Sequence, residues 1–371
     1  MNFNSMHWFD SCSLIFMGIS FFLNGLIAYI WHQNFYRKLG LKNYKSIQRI
    51  HLNETPRLGG FIFILSLASF VLFSNSNESI LFLELILLSL IPIIIIGLKE
   101  DLFHNVEPSV RLISLLFVGW LFIAKFTSPL PNLADVPVLG KLLVLQGGIS
   151  FFYILSMTAI ANGMNLIDGV NGLCGAAALS ILSSLLFLSY RTSDVVMLST
   201  IFSVILILVP FLILNYPYGK IFLGDLGAYG LGLIVSMLTI IFFGRHPEIS
   251  PWGAALILIY PATEVIFSAL RRIIKGTSIF QADTAHLHLK IFHFFRPQPV
   301  YKKIANSIVT PVLSCLWLFP LLTISWVYHK PLLIRVAIIL FLSLYLLLYF
   351  KIPKYKKMEI KLNNVTGRSV K

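Results

Sequence analysis

Two acids stand side by side in the stretch Gly97-Leu-Lys-Glu-Asp-Leu102, where an apolar run ends. Paired carboxylates such as Glu100 and Asp101 suit a divalent cation, or a proton acceptor whose affinity the neighbouring charge raises. The dipole of a helix C-terminus disfavours them, so their placement asks for a compensating cation; a charged collar in a short loop is the plainer alternative. Asn162-Gly-Met-Asn-Leu-Ile-Asp-Gly-Val-Asn-Gly172 then interrupts apolar sequence with three Asn, one Asp and three Gly. Asn amides pair with base edges, hydroxyls and other amides, and glycine lets a backbone pass close to a ligand. A helix cap alone needs one such residue, not Asn162, Asn165, Asp168 and Asn171 together. In Phe222-Leu-Gly-Asp-Leu-Gly227, Asp225 sits between glycines at a helix start, as a cap or a metal ligand.

Two further segments bring positive charge. His51-Leu-Asn-Glu-Thr-Pro-Arg-Leu-Gly-Gly60 enters an apolar run, with Pro56 setting a turn and Arg57 able to meet a phosphate. Arg271-Arg272 and Lys275 lead to Asp283-Thr-Ala-His-Leu-His-Leu-Lys290. His286 and His288 are two apart and share a face only in extended or loop geometry. With Arg272 and Lys290 they suit a diphosphate, or else they are interfacial side chains that snorkel. The chain has no P-loop pattern, no Gly-x-Ser-x-Gly and no His-Glu-x-x-His. Cys12, Cys174 and Cys315 show no metal or disulfide spacing and read as buried thiols.

The elements that must position these residues follow from composition. Of 371 residues, 57% are hydrophobic and 12% charged, against about 25% charged in soluble domains. No soluble core of this size hides so much apolar surface. Apolar spans near 10–31, 58–75, 79–98, 110–126, 143–161, 172–190, 195–214, 227–244, 251–270, 306–328 and 331–350 predict an all-α polytopic membrane protein with about 11 transmembrane helices. The first span is read as a retained helix, since its N-terminal side is uncharged and lacks a small-residue cleavage site. Residues 1–351 read as one integral-membrane domain and 352–371 as a basic tail.

Numbering the loops alternately puts 23 of the 29 Lys and Arg on one side, which makes that side cytoplasmic, the N-terminus external and the C-terminus cytoplasmic. All the chemistry-bearing segments fall on that same side. The net charge of +14 therefore points to anionic membrane lipid and not to nucleic acid.

Five segments in order, over roughly 50–295, make the chain similar to the polyprenyl-phosphate N-acetylhexosamine-1-phosphate transferases of bacteria. Thr55–Gly60 resembles that family's first cytoplasmic motif, Gly97–Leu102 its Asp-Asp motif, and Asn162–Gly172 its Asn-x-x-Asp-Gly-x-Asp-Gly motif. Phe222–Gly227 resembles its Phe-x-Gly-Asp-x-Gly motif and His286–His288 its His-x-His-His motif. Three positions depart: Glu100 replaces the first Asp, Asn171 the second acid of the loop, and Leu289 a second adjacent His.

The resemblance implies transfer of a sugar-1-phosphate from a UDP-N-acetylhexosamine to undecaprenyl phosphate, with release of UMP, in the bacterial cytoplasmic membrane. This would be the first step of a cell-envelope glycan such as an O-antigen or teichoic acid. It implies Mg2+, or Mn2+ in its place, held by Asp225 with Asp168. Asp101 and Glu100 would orient or deprotonate the lipid phosphate, a light task for a group whose second pKa is about 6. Asn162, Asn165, Asp168 and Asn171 would face the nucleotide. Arg57, Arg272, His286, His288 and Lys290 would hold phosphates, and a homodimer is compatible. An inactive homologue serving as a scaffold is the alternative that the three departures raise. A secondary transporter would place its polar residues nearer the midplane.

Overall fold

A computed structural model of the protein describes residues 55–133 except 76, 147–277, 285–301 and 304–352, with isolated positions at 19–21, 23–27, 30, 136 and 140. Most of the expected first span, Asp283 and the basic tail lie outside the described residues. No strand occurs among those described, and seven of the helices are long and apolar enough to cross a membrane. The protein is an all-α polytopic membrane protein.

In chain order the helices are α1 (Gly59–Phe73), α2 (Glu78–Phe103), α3 (Pro108–Lys125), α4 (Gly148–Ile167), α5 (Leu173–Arg191), α6 (Val195–Asn215) and α7 (Gly224–Arg245). Then follow α8 (Trp252–Ile257), α9 (Ile259–Ile274), α10 (Leu287–Phe295), α11 (Val309–Val312), α12 (Ser314–Trp317), α13 (Phe319–Val327) and α14 (Pro331–Lys351). Side-chain caps start two of them. Asn77 accepts the Ile80 N–H ahead of α2, and Asp194 accepts the Met197 N–H ahead of α6.

Two expected spans are broken. The run 251–270 divides at Leu258, because Pro261 has no N–H to offer the Ile257 carbonyl one turn back. The run 306–328 divides into α11, α12 and α13, and at the second break, Leu318, Pro320 likewise has no N–H for the Leu316 carbonyl. Residues 287–295, expected in a loop, form α10. Of the thiols, Cys174 is buried as expected, but Cys315 is exposed.

α7 is the axis of the bundle. Every residue from Gly224 to Gly244 is buried, so no side of this helix faces lipid. Gly60 of α1 and Gly227 of α7 touch backbone to backbone, and a Cβ on either would overlap the other chain. The outer helices show one-sided burial instead. α14 buries Ile334, Ala337, Phe341, Tyr345 and Tyr349, a seam at three- and four-residue spacing, and turns its other residues outward.

Candidate active site

The site forms at the N-terminal end of α7, where the helix dipole favours negative charge. Asp225 opens the first turn there. The segment before α1 is laced to the segment before α7: Phe222 N–H donates to the Pro56 carbonyl (2.9 Å), Gly59 N–H to Phe222 (2.9 Å) and Gly60 N–H to Leu223 (2.8 Å). That lacing sets Arg57 beside Asp225, with Nη2 2.8 Å from Oδ1. Arg57 Nε also lies 3.6 Å from Asp101 Oδ1.

Asp101 sits in the last turn of α2 with its side chain 2% exposed. Its Oδ1 accepts the Asp225 N–H at 2.7 Å and its Oδ2 accepts the Leu226 N–H at 3.0 Å. It thus caps α7 from a neighbouring helix and satisfies two amides that α7 cannot bond internally. Glu100 holds the following loop: its Oε2 accepts the Val106 N–H at 2.8 Å.

Arg111 completes the cluster. Its Nη1 donates to Asp225 Oδ2 at 2.7 Å and lies 3.7 Å from Glu100 Oε1. In the sequence it is one basic residue at a span end, as the positive-inside pattern alone would place it. The signal that marks it is an ionisable group one turn inside an apolar helix, an expensive placement unless it is paired.

Burial opposes charge on Arg57, but Asp101, Asp225, Asp168 and Glu100 together hold its pKa above the ordinary arginine value. Asp168, the C-cap of α4, belongs to the same electrostatic group. Loss of water raises its pKa well above the usual carboxylate range; Arg57 pulls it down, while Asp225 and Asp101 push it further up.

The histidines meet the Asn-rich loop from the other side. His286 is the extended N-cap of α10 and His288 lies in its first turn; their rings stack 5.7 Å apart at 12°. The His288 imidazole rests on Gly169 so closely that a Cβ there would overlap Nε2. Burial, and then His286, hold the His288 pKa well below the ordinary histidine value, so this ring is neutral.

Three of the other expected residues have their side chains engaged within the bundle. Asn171 is a buried joint: its N–H donates to Asn306 Oδ1 (2.7 Å), its amide to the Pro217 carbonyl (2.9 Å), and its carbonyl accepts from Thr310 (2.6 Å). Lys290 is buried, donates to the Tyr349 carbonyl and lies 4.0 Å above the Tyr349 ring, pinning α10 to the end of α14. Asn162 bonds back to the Thr158 carbonyl (2.8 Å). The Asn165 carbonyl accepts the Asp168 N–H (3.3 Å). Arg272 lies in the last turn of α9, where its carbonyl accepts from Lys275 (3.1 Å) and Thr277 (3.0 Å).

Among the described residues, no three His, Cys, Asp or Glu side chains converge as a metal nest. Asp225 and Asp168 do offer hard carboxylate oxygens. Mg2+ commonly takes one or two of these and completes its shell with substrate phosphates and water. The donor set therefore fits an ion that arrives with a diphosphate better than one caged by the protein alone.

Comparison with known proteins finds relatives over the same stretch of the chain. The model of glycosyl transferase family 4 matches residues 82–243, which contain Glu100, Asp101, Arg111, Asp168 and Asp225. The chain is 26% identical over 260 residues to a probable undecaprenyl-phosphate N-acetylglucosaminyl 1-phosphate transferase of Bacillus subtilis, covering 69% of this chain and 71% of the relative. It is 27% identical over 270 residues to the undecaprenyl-phosphate alpha-N-acetylglucosaminyl 1-phosphate transferase of Thermotoga maritima, 73% of this chain and 77% of that one. It is also 30% identical over 232 residues to the phospho-N-acetylmuramoyl-pentapeptide-transferase of Dictyoglomus thermophilum, 60% of this chain and 72% of the relative.

Proposed function

The chain belongs to glycosyl transferase family 4, and on that premise we propose that it transfers a phosphosugar from a nucleotide-sugar donor to undecaprenyl phosphate. The observation that carries this reading is the cluster at the head of α7. Segments at 57, 100–101, 111 and 225 meet there as two guanidinium groups among three carboxylates.

The donor in this reading is a UDP-N-acetylhexosamine, and the second product is UMP. One oxygen of the lipid phosphate attacks the sugar-proximal phosphorus. The bond from that phosphorus to the bridging oxygen breaks, and UMP leaves with the electron pair. Arg57 and Arg111 offer planar forks suited to phosphate oxygens, and Asp225 holds both in place. Asp101 spends both oxygens on the α7 amides, so its work is to fix Asp225 and not to take a proton. Asp225, once its arginines turn to the donor phosphates, would hold Mg2+ with Asp168, and the ion would supply charge neutralisation at the diphosphate. Positioning and electrostatics then account for the catalysis. His286 approaches the donor from the start of α10, opposite the loop that carries Asp168, with His288 packed between it and that loop.

The family relatives named for N-acetylglucosaminyl 1-phosphate transfer support an N-acetylated hexosamine as cargo. The excess of Lys and Arg on the loops at the site end supports a cytoplasm-facing site in the bacterial inner membrane, in contact with anionic lipid. The test is purified protein in detergent with undecaprenyl phosphate, Mg2+ and a panel of UDP-sugars, followed by UMP release. UMP that depends on both lipid and Mg2+ is the expected result. No UMP from any donor, with protein shown to be folded, favours the inactive scaffold.

A further inference from the structure

The proposed chemistry leaves one buried acid without a task. Glu264 lies within α9 at 1% exposure, on an inner stripe with Tyr260 and Ser268 four residues to either side. Its Oε2 lies 3.5 Å from His286 Nδ1. Neither its Oε1 nor the Tyr260 hydroxyl has a hydrogen-bond partner, and His286 Nδ1 has none either, so the Glu264–His286 approach is a charge contact and not a hydrogen bond. An isolated carboxylate removed from water is costly, and His286 supplies the imidazole within ion-pair distance.

We propose that Glu264 is a positioning residue for His286 and, through it, for the donor-binding face of the histidine segment. The inference rests on the reading above that His286 meets the donor diphosphate. A carboxylate 3.5 Å from Nδ1 favours the ring orientation that keeps this nitrogen toward it and leaves the Nε2 edge for a ligand, and it can close to a hydrogen bond when the donor binds. The path is contiguous. Glu264 abuts His286, His286 stacks on His288, and His288 rests on Gly169, next to Asp168. α9 thereby sets the distance between the histidines and the Asn-rich loop. No covalent change occurs at Glu264.

The test uses Glu264→Gln, Glu264→Asp, His286→Ala and the double variant Glu264→Gln/His286→Ala in full-length protein, with kcat, KM for the UDP-sugar and Tm. Glu264→Gln is expected to lower kcat/KM by about 10–100-fold, chiefly through KM, with Tm held. Glu264→Asp should recover part of the loss. In the His286→Ala background the Gln change should add less than about twofold, since its partner is gone. Wild-type activity in Glu264→Gln, or the same loss in both backgrounds, overturns the proposal. If the wild type itself releases no UMP, the transferase reading fails and Glu264 is judged on the imidazole alone. The rate at which diethyl pyrocarbonate modifies His286, read by mass spectrometry, should then change in Glu264→Gln; an unchanged rate overturns the positioning role.

Discussion

A carboxylate gripped by two guanidinium groups is both an anchor and a target. Asp225 holds Arg57 and Arg111 on its two oxygens, so its charge sets where both forks point. Asp225→Asn keeps the volume and removes that charge. Activity should fall by about 100- to 1,000-fold, a loss in the range seen when one key electrostatic group is removed, while Tm stays within a few degrees. Full UMP release from folded Asp225→Asn would remove this residue from the chemistry. At this scale the sequence revealed residue types but not directions. Arg57, Glu100, Asp101 and Asp225 were legible because each stands in a short polar segment. Arg111 was not, because a lone basic residue near a span end also satisfies the positive-inside pattern. Lys290 and Asn171 read as ligand-facing from their chemistry. Their partners, Tyr349 and the Pro217 and Asn306 positions, are too distant in sequence to be anticipated.

One helix depends on another for its first turn. α7 begins with glycines and has no side-chain cap of its own; Asp101 from α2 supplies what a local cap would. Asp101→Ala should therefore cost stability as well as activity. Two buried amides lose their acceptor, worth about 1–3 kcal/mol, and Tm should drop by several degrees. Asp225→Asn and Asp101→Ala thus both reduce UMP release, but only the second melts early. Equal melting of the two in detergent would contradict the capping role. Most helices were legible from hydropathy, since a membrane-crossing run is long and apolar. The breaks at Leu258 and Leu318 were not, because an average over twenty residues dilutes a single missing N–H. α10 was hidden because its polar neighbours suggested a loop.

The two ends of α7 do different work. Its 22 residues span about 33 Å, enough to cross the hydrocarbon core. The far end is a second ionic group: Arg245 donates to Asp194 Oδ2 at 2.8 Å and also pairs with Glu78, and His246 lies 3.0 Å from Asp194. Burial alone would raise the Asp194 pKa, but hydrogen bonds from Arg245, the Met197 amide and His246 outweigh it, so the pKa lies below the ordinary value. A depressed acid contributes stability that is present above its unfolded pKa of about 3.9 and is lost as pH falls through the folded value. Asp194→Asn should therefore lower Tm at neutral pH by an amount equivalent to about 1–3 kcal/mol, and the gap should close below about pH 4. A gap that persists unchanged at pH 3 would rule out the ionic clasp. Since α7 touches only protein, its place in the bundle exists only once its neighbours are there to receive it. A nascent chain that has emerged through Arg111 already carries both arginines and the acids of α2, yet the carboxylate that both arginines share has still to come. The proposed site is complete only when His286 and His288 have followed residue 225, so a product truncated before them lacks it.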